Sequence, residues 1–219
     1  MPSNKQQTLS APAVPTMPDP GSAYSDKNVR TSNGLLRTFM LRLTGALQAL
    51  FGPGGAQYID SPNGLFFNTA TQNFAVIDTA YPVVFNQTYL NNMVGLQAGS
   101  TSRVAVAVSG VYNFQYSGQI LSSNSSAKEM HLWIRRDGVD INYSTRTTTI
   151  AINNQLVPLF WNFNIDLQAG SYIEMMASVT SSVLELVSSA AVSPHTSVPS
   201  SVFAVNYVSA LPPVLPTPP

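Results

Sequence analysis

The chain reads as an all-β sandwich or barrel carried behind a proline-rich arm and one short helix. Three observations point there. From Leu65 onward, about a dozen short segments with period-two alternation follow one another at spacings of roughly 8–12 residues, as in sandwiches and barrels. The joints between them carry reversal signals, above all Asp137-Gly138 and Gly170. A helical period occurs once, over Asn33 to Phe51.

Residues 1–32 hold Pro2, Pro12, Pro15, Pro18 and Pro20 among Ser, Ala and Asn, too little apolar material for a core, so they read as an extended arm. The helical segment follows within residues 33–55. Leu36, Met40, Leu43, Leu47 and Leu50 are spaced alternately by four and three, the a/d alternation of a coiled coil, and Gly52-Pro53-Gly54-Gly55 stops the helix. Two readings stand: a helix packed on its own domain, or a short three-chain bundle. Phe39, Leu41 and Phe51 widen the apolar face beyond a narrow seam.

Residues 56–210 are expected to form the sandwich. In Gly110 to Ile120, Tyr112, Phe114, Tyr116 and Ile120 share one face, with Asn113, Gln115, Ser117 and Gln119 on the other. Leu159, Trp161, Phe163, Ile165 and Leu167 likewise alternate with Phe160, Asn162, Asn164 and Asp166. Further strands are expected at 64–68, 74–77, 83–85, 93–97, 103–108, 130–135, 147–152, 172–179, 183–188 and 202–208. Asp137-Gly138 between two of them is a type I′ hairpin signal, and Gly170 supplies the positive φ of a tight reversal. Residues 211–219 carry five prolines in nine positions and read as a polyproline II tail.

Three stretches carry a family resemblance: Gly110-Val-Tyr-Asn-Phe-Gln-Tyr116, Leu132-Trp-Ile-Arg-Arg-Asp-Gly-Val139, and Ile165-Asp-Leu-Gln-Ala-Gly-Ser-Tyr-Ile-Glu-Met175. Together they resemble the jelly roll of the complement and tumour necrosis factor superfamily, with Ser171 where that family commonly has Asp. Leu36-Arg-Thr-Phe39, Phe51-Gly-Pro-Gly-Gly55, Thr79-Ala-Tyr-Pro82, Trp161-Asn-Phe163 and Tyr207-Val-Ser209 further resemble bacteriophage virion proteins of jelly-roll type, over roughly residues 35–210. The resemblance implies a structural particle component, usually a trimer, in which an aromatic-rich sheet face meets neighbouring copies. On that expectation Tyr112, Phe114 and Tyr116 join Leu36, Met40, Leu43, Leu47 and Leu50 as trimer contacts.

Charge narrows the function. Ten basic and ten acidic residues make up 9% of 219 positions, with no net charge. Such a chain has no field to draw in a polyanion, which argues against sequence-independent nucleic-acid binding. No run approaches the roughly 18 apolar residues of a spanning helix, and the N-terminus lacks the apolar core of a signal peptide. The absence of cysteine removes disulfides and thiolate ligands, as suits assembly in a host cytoplasm. Before residue 50 five bases face two acids; after it five bases face eight acids.

Catalytic signals are sparse. His131 and His195 are the histidines; His131 follows Glu129 but reads as an outward strand position, and no Gly-x-Ser-x-Gly elbow accompanies either. Asp137 and Asp140 flank a turn whose geometry already explains them, so neither a metal nor another cofactor is expected. The Asn-x-Ser/Thr triplets at Asn86, Asn124 and Asn142 read as chance in a chain rich in these residues. Carbohydrate recognition is the alternative with residues behind it: Asn91-Asn92, Asn153-Asn154-Gln155 and Tyr143 are expected in loops, with Tyr143 and Asn154 as glycan contacts.

The expectation is therefore a non-enzymatic virion protein on the phage surface, a trimeric head decoration or cement protein. Residues 1–32 would anchor it to the major capsid protein or another virion protein. The alternative is a tail fibre or receptor-binding protein that recognises host polysaccharide.

Overall fold

The structure, a computed structural model, describes residues 12–17, 25–51 and 61–211, the last three helical residues by backbone alone. It divides into two units, residues 1–60 and 61–219. In the first, α1 runs Asp26–Phe51. It starts seven residues earlier than the apolar period suggests, because the signal is a cap: Ser25 Oγ accepts from Asn28 N at 3.5 Å and Ser25 O from Val29 N at 3.1 Å. Asp26 then pairs with Arg30 one turn on, at 3.0 Å. The arm therefore ends before Ser25. Residues 1–11 and 18–24, the glycine stop at 52–55 and the tail at 212–219 lie outside the described residues.

The second unit is an all-β jelly-roll sandwich of two antiparallel sheets. Its strands are β1 (Asn63–Asn68), β2 (Gln72–Asn73), β3 (Tyr81–Pro82), β4 (Gln87–Asn92), β5 (Val94–Leu96), β6 (Val104–Val106), β7 (Gly110–Ser122), β8 (Lys128–Arg136), β9 (Val139–Asp140), β10 (Arg146–Ile150), β11 (Leu156–Leu167), β12 (Tyr172–Val179), β13 (Leu184–Leu186) and β14 (Ser201–Ser209). One sheet runs β2-β13-β7-β14-β1-β4, with β11 along the free side of β7; the other runs β10-β8-β12-β6-β5, with β3 on β12 and β9 on β8.

The long alternating segments emerge as expected. Phe114, Tyr116 and Phe203 from the first sheet meet Met130, Leu132 and Met175 from the second, all buried. Phe114 stacks on Phe203 at 5.5 Å and on Phe163 at 5.2 Å, so three strands share one aromatic stack. Tyr112 meets Tyr207 edge-on at 5.4 Å, and a Cβ at Gly110 would run into that Tyr207 ring. The glycine opening the Gly-x-Tyr-x-Phe stretch is thus a close-approach requirement. Asp137 and Gly138 both have positive φ, 49° and 83°, the type I′ geometry their sequence signals.

Short strands depart more. Residues 74–77 and 83–85 are not strands, although Phe74, Val83 and Phe85 are buried; the pairing falls on Gln72–Asn73 and Tyr81–Pro82. The strand β4 carries no alternation, being exposed over five of its six residues, and places Asn91 and Asn92 in a sheet edge rather than a loop. Its ladder depends on β1 alone, with a bulge between Leu65 and Phe66.

Candidate functional site

Tyr112, Phe114 and Tyr116 lie inside the sandwich, 0–2% exposed within a single chain. As trimer contacts they are corrected: the two-sheet core already consumes this face, and nothing of it is left for a second copy. Tyr112 donates its hydroxyl to Val108 O at 2.6 Å, and burial first, then the neighbouring Tyr207, pushes its phenol up. The Tyr116 hydroxyl is buried without a hydrogen-bond partner among the described residues, and burial alone raises it far above the ordinary tyrosine value.

The helical seam fares differently. Leu36, Met40 and Leu47 are exposed in the single chain, Met40 by 54%, while Leu43 is half-buried; the side chain of Leu50 lies outside the described residues. A helix with this many uncovered apolar side chains has an apolar face that water solvates poorly.

A second uncovered region was not anticipated. The strand β11 pairs with β7 over twelve residues, and its other edge pairs with nothing among the described residues. Val157, Leu159, Trp161, Phe163 and Ile165 on its inner face are half-buried, and Phe160 on its outer face is 76% exposed. Arg146 from β10 lies over Trp161 at 5.8 Å. An edge this long is usually guarded by charge. Here β11 itself supplies Pro158 and Asp166, and besides Arg146 the neighbouring Arg136 donates to Asp166 O at 3.1 Å. The sequence did hold a signal: a proline inside a strand marks an edge, and Phe160 is the one aromatic among Asn162, Asn164 and Asp166 on the polar face.

Behind that edge the outer face of the sheet is nearly uncharged. Across β1, β4, β7, β11 and β14 the sole charged residue is Asp166. Amides bond to each other there: Asn113 donates to Asn162 at 2.6 Å and to Asn164 at 2.8 Å, and Gln115 donates to Asn113 at 3.1 Å. Two depressions open on this face and share Val202. One, about 550 Å³, is lined by Gln115, Ser117, Phe160, Asn162 and Ala204. The other, about 360 Å³, is lined by Leu65, Phe67, Tyr89, Val198 and Pro199.

The opposite sheet carries the charges. Asp140 accepts from Arg135 Nε at 2.7 Å and from Trp133 Nε1 at 2.8 Å. The Arg135 hydrogen bond, with help from Trp133, holds the Asp140 carboxyl below the usual carboxylate range. Asp137 instead accepts from Tyr172 N at 2.9 Å, so the two turn carboxylates face different partners. His131 projects outward between buried Met130 and Leu132, with Nδ1 2.9 Å from Thr147 Oγ1 and Nε2 3.7 Å from Glu129. His195 lies in a loop with Nδ1 3.2 Å from Thr196 O. Among the described residues no group of three or more His, Cys, Asp and Glu is placed to hold a metal ion.

Tyr143 and Asn154, expected as glycan contacts, are both loop residues with positive φ, 62° and 56°. They do not meet. Tyr143 precedes β10 at the end where Ser144 Oγ accepts from Ile134 N, whereas Asn154 follows β10 and donates its N–H to Ser122 O at 2.7 Å. Strand β10 alone separates them by roughly 17 Å.

No family model matches the chain, and no curated protein matches it. Among solved structures it is similar to Eiger TNF from S. frugiperda, at 14% identity over 72% of this chain and 98% of that one, with a TM-score of 0.47.

Proposed function

We propose that this protein is a structural component of a bacteriophage virion, a trimeric decoration or cement protein whose arm attaches it to the particle. The observation that carries the assembly is uncovered apolar surface in each unit by itself: the edge and Phe160 of β11 in the sandwich, and Leu36, Met40 and Leu47 on α1. Exposed apolar surface rimmed by polar residues marks a partner site. A second copy suits the β11 surface, because one protomer offers an edge unpaired among the described residues and the uncharged face behind that edge offers depressions to receive it. Edge-to-face contact between unlike patches is heterologous, and where each step turns the chain by a third of a circle it closes into a ring of three. The phage assignment is supported by the virion-protein motifs of the sequence, and the arm's role by its proline-rich composition. Three arms per ring would add weak contacts through effective concentration.

Light scattering on the purified chain is expected to give three times the chain mass of 23.5 kDa. Deleting residues 1–24, which stops short of the Ser25 cap, is expected to leave that trimer folded and unable to join particles. A monomer at all concentrations would overturn the assembly; retained incorporation would overturn the anchoring role.

A second reading, a tail fibre or receptor-binding protein for host polysaccharide, is favoured by Tyr143. It is fully exposed in a conformation bulky residues avoid. Copy number per particle separates the readings, since decoration needs many copies and a tail tip few.

A further inference from the structure

The smaller of the two depressions on the outer face, about 360 Å³, is bounded by three parts of the sandwich. Leu65 and Phe67 of β1 line it beside Val202 of β14, and Tyr89 of β4 joins them, 73% exposed. Val198 and Pro199 add a further side from the connection between β13 and β14. That connection folds back on itself, with Ser189 N donating to Val198 O at 3.0 Å and Val198 N to Ser189 O at 2.9 Å. No charged residue lines the groove. The hydroxyls of Tyr89, Ser189 and Ser197, all lining residues, make no hydrogen bond among the described residues. An apolar groove edged by unused hydroxyl donors suits an uncharged ligand rich in carbonyls and poor in N–H groups.

Residues 212–219, Pro-Pro-Val-Leu-Pro-Thr-Pro-Pro, have that chemistry. Five prolines donate nothing, so eight carbonyls accompany three N–H groups, at Val214, Leu215 and Thr217, and none of the eight residues is charged. Such a sequence favours polyproline II, the form that aromatic-lined grooves bind. Its point of departure also fits. Tyr207 N donates to Pro62 O at 3.0 Å, so β14 ends where β1 begins, and the groove lies further along the same two strands. Val208, Ser209 and Ala210 are exposed, whereas Leu211 is half-buried again. From Ser209 back to Val202 is seven steps along β14, about 23 Å, and eight residues of polyproline II span about 25 Å. Eight residues therefore suffice to turn back over β1 and β14 and reach the far end of the groove.

We propose that residues 212–219 dock in this groove of their own chain, as a polyproline II segment laid over the outer faces of β1 and β14. The proposal goes beyond the assembly reading: it fills the smaller depression and leaves the larger one, beside Phe160, to a neighbouring copy. It also gives β4 a guard. That strand pairs with β1 alone among the described residues, carries no charge, and exposes Tyr89 and Leu90. Prolines seated beside it cover apolar surface without offering the N–H groups that would extend the sheet.

The chain has no cysteine, so Pro219→Cys creates a single attachment point for a nitroxide label on the full-length protein. The label is expected to erase the methyl nuclear magnetic resonance signals of Leu65, Val198 and Val202, and to leave that of Val139, on the opposite sheet, sharp. Leu215→Asp in the labelled chain is expected to restore the erased signals, because a carboxylate is costly to desolvate in an uncharged groove. Tyr89→Ser, at an exposed position, probes the groove from its other side and is expected to restore them with the melting temperature unchanged. Signals of Leu65, Val198 and Val202 as sharp as that of Val139, or erased to the same extent in both variants, would overturn the proposal. So would erasure in mixed assemblies in which only neighbouring chains carry the label. Line widths are read on the purified protein, so they succeed or fail independently of particle incorporation and copy number.

Discussion

Replacing Phe160 by lysine asks directly whether β11 is covered by a second copy. Phe160 is 76% exposed in the single chain and makes no aromatic pair with the core stack, so the substitution leaves the sandwich intact. Burying a whole phenylalanine side chain contributes about 1.5–3 kcal/mol, so covering the exposed three-quarters contributes about 1–2 kcal/mol per contact. A ring of three holds three such contacts, about 3–6 kcal/mol, equivalent to between roughly a hundredfold and ten-thousandfold in the trimer dissociation constant. A lysine there also places a charge against an uncharged amide face, which adds to the loss. Light scattering over a dilution series is expected to show Phe160→Lys dissociating at concentrations where the wild type stays assembled. Circular dichroism melting at high dilution checks that both protomers fold alike. A folded variant whose dissociation midpoint matches the wild type would refute the edge-to-face contact.

Three further outcomes test the interior and the charged sheet. Tyr116→Phe removes a buried hydroxyl that has no partner among the described residues, and is expected to raise stability by about 1 kcal/mol, read in urea melts. Phe114→Ala empties the centre of the stack with Phe163 and Phe203 and is expected to cost about 3–5 kcal/mol, enough to leave little folded protein in a soluble-yield and melting assay. The Asp140 carboxyl is held below its unfolded value by Arg135, so it contributes stability above the ordinary carboxylate range, and that contribution is lost as pH falls through its lowered value. Asp140→Asn is therefore expected to flatten the acid limb of melting temperature against pH, modestly and less so in high salt because the pair is half in water.

How far the fold was legible depended on segment length. The strands β7 and β11 are long enough for period-two alternation to stand above noise, and their faces emerged as read. The helix start was hidden because α1 begins with a polar capping turn, not an apolar period; the Ser25 cap lies eight residues before the stretch that looked helical. Phe74, Val83 and Phe85 were read as strand residues because they are apolar, yet they reach the core from irregular backbone. The strand β4 was missed for the opposite reason: its Gln-Thr-Tyr-Leu-Asn-Asn sequence buries almost nothing, and only its ladder to β1 makes it a strand.

The candidate surfaces show the same division. That Tyr112, Phe114 and Tyr116 share one face followed from alternation alone, but whether that face met a second sheet or a second chain did not. Local periodicity reports which side is apolar, never what covers it. By itself the sequence determined the polar and apolar faces of the long strands, the type I′ corner at Asp137-Gly138, the scarcity of charge and the separation of the basic arm and helix from the acidic sandwich. Tertiary structure alone decided that the aromatic face closes on Met130, Leu132 and Met175, that β11 is left as an open edge, and that Tyr89 and Val198 line one groove. Those outcomes depend on contacts between residues far apart in the chain, where the cost of bringing segments together is met by packing that no short window of sequence contains.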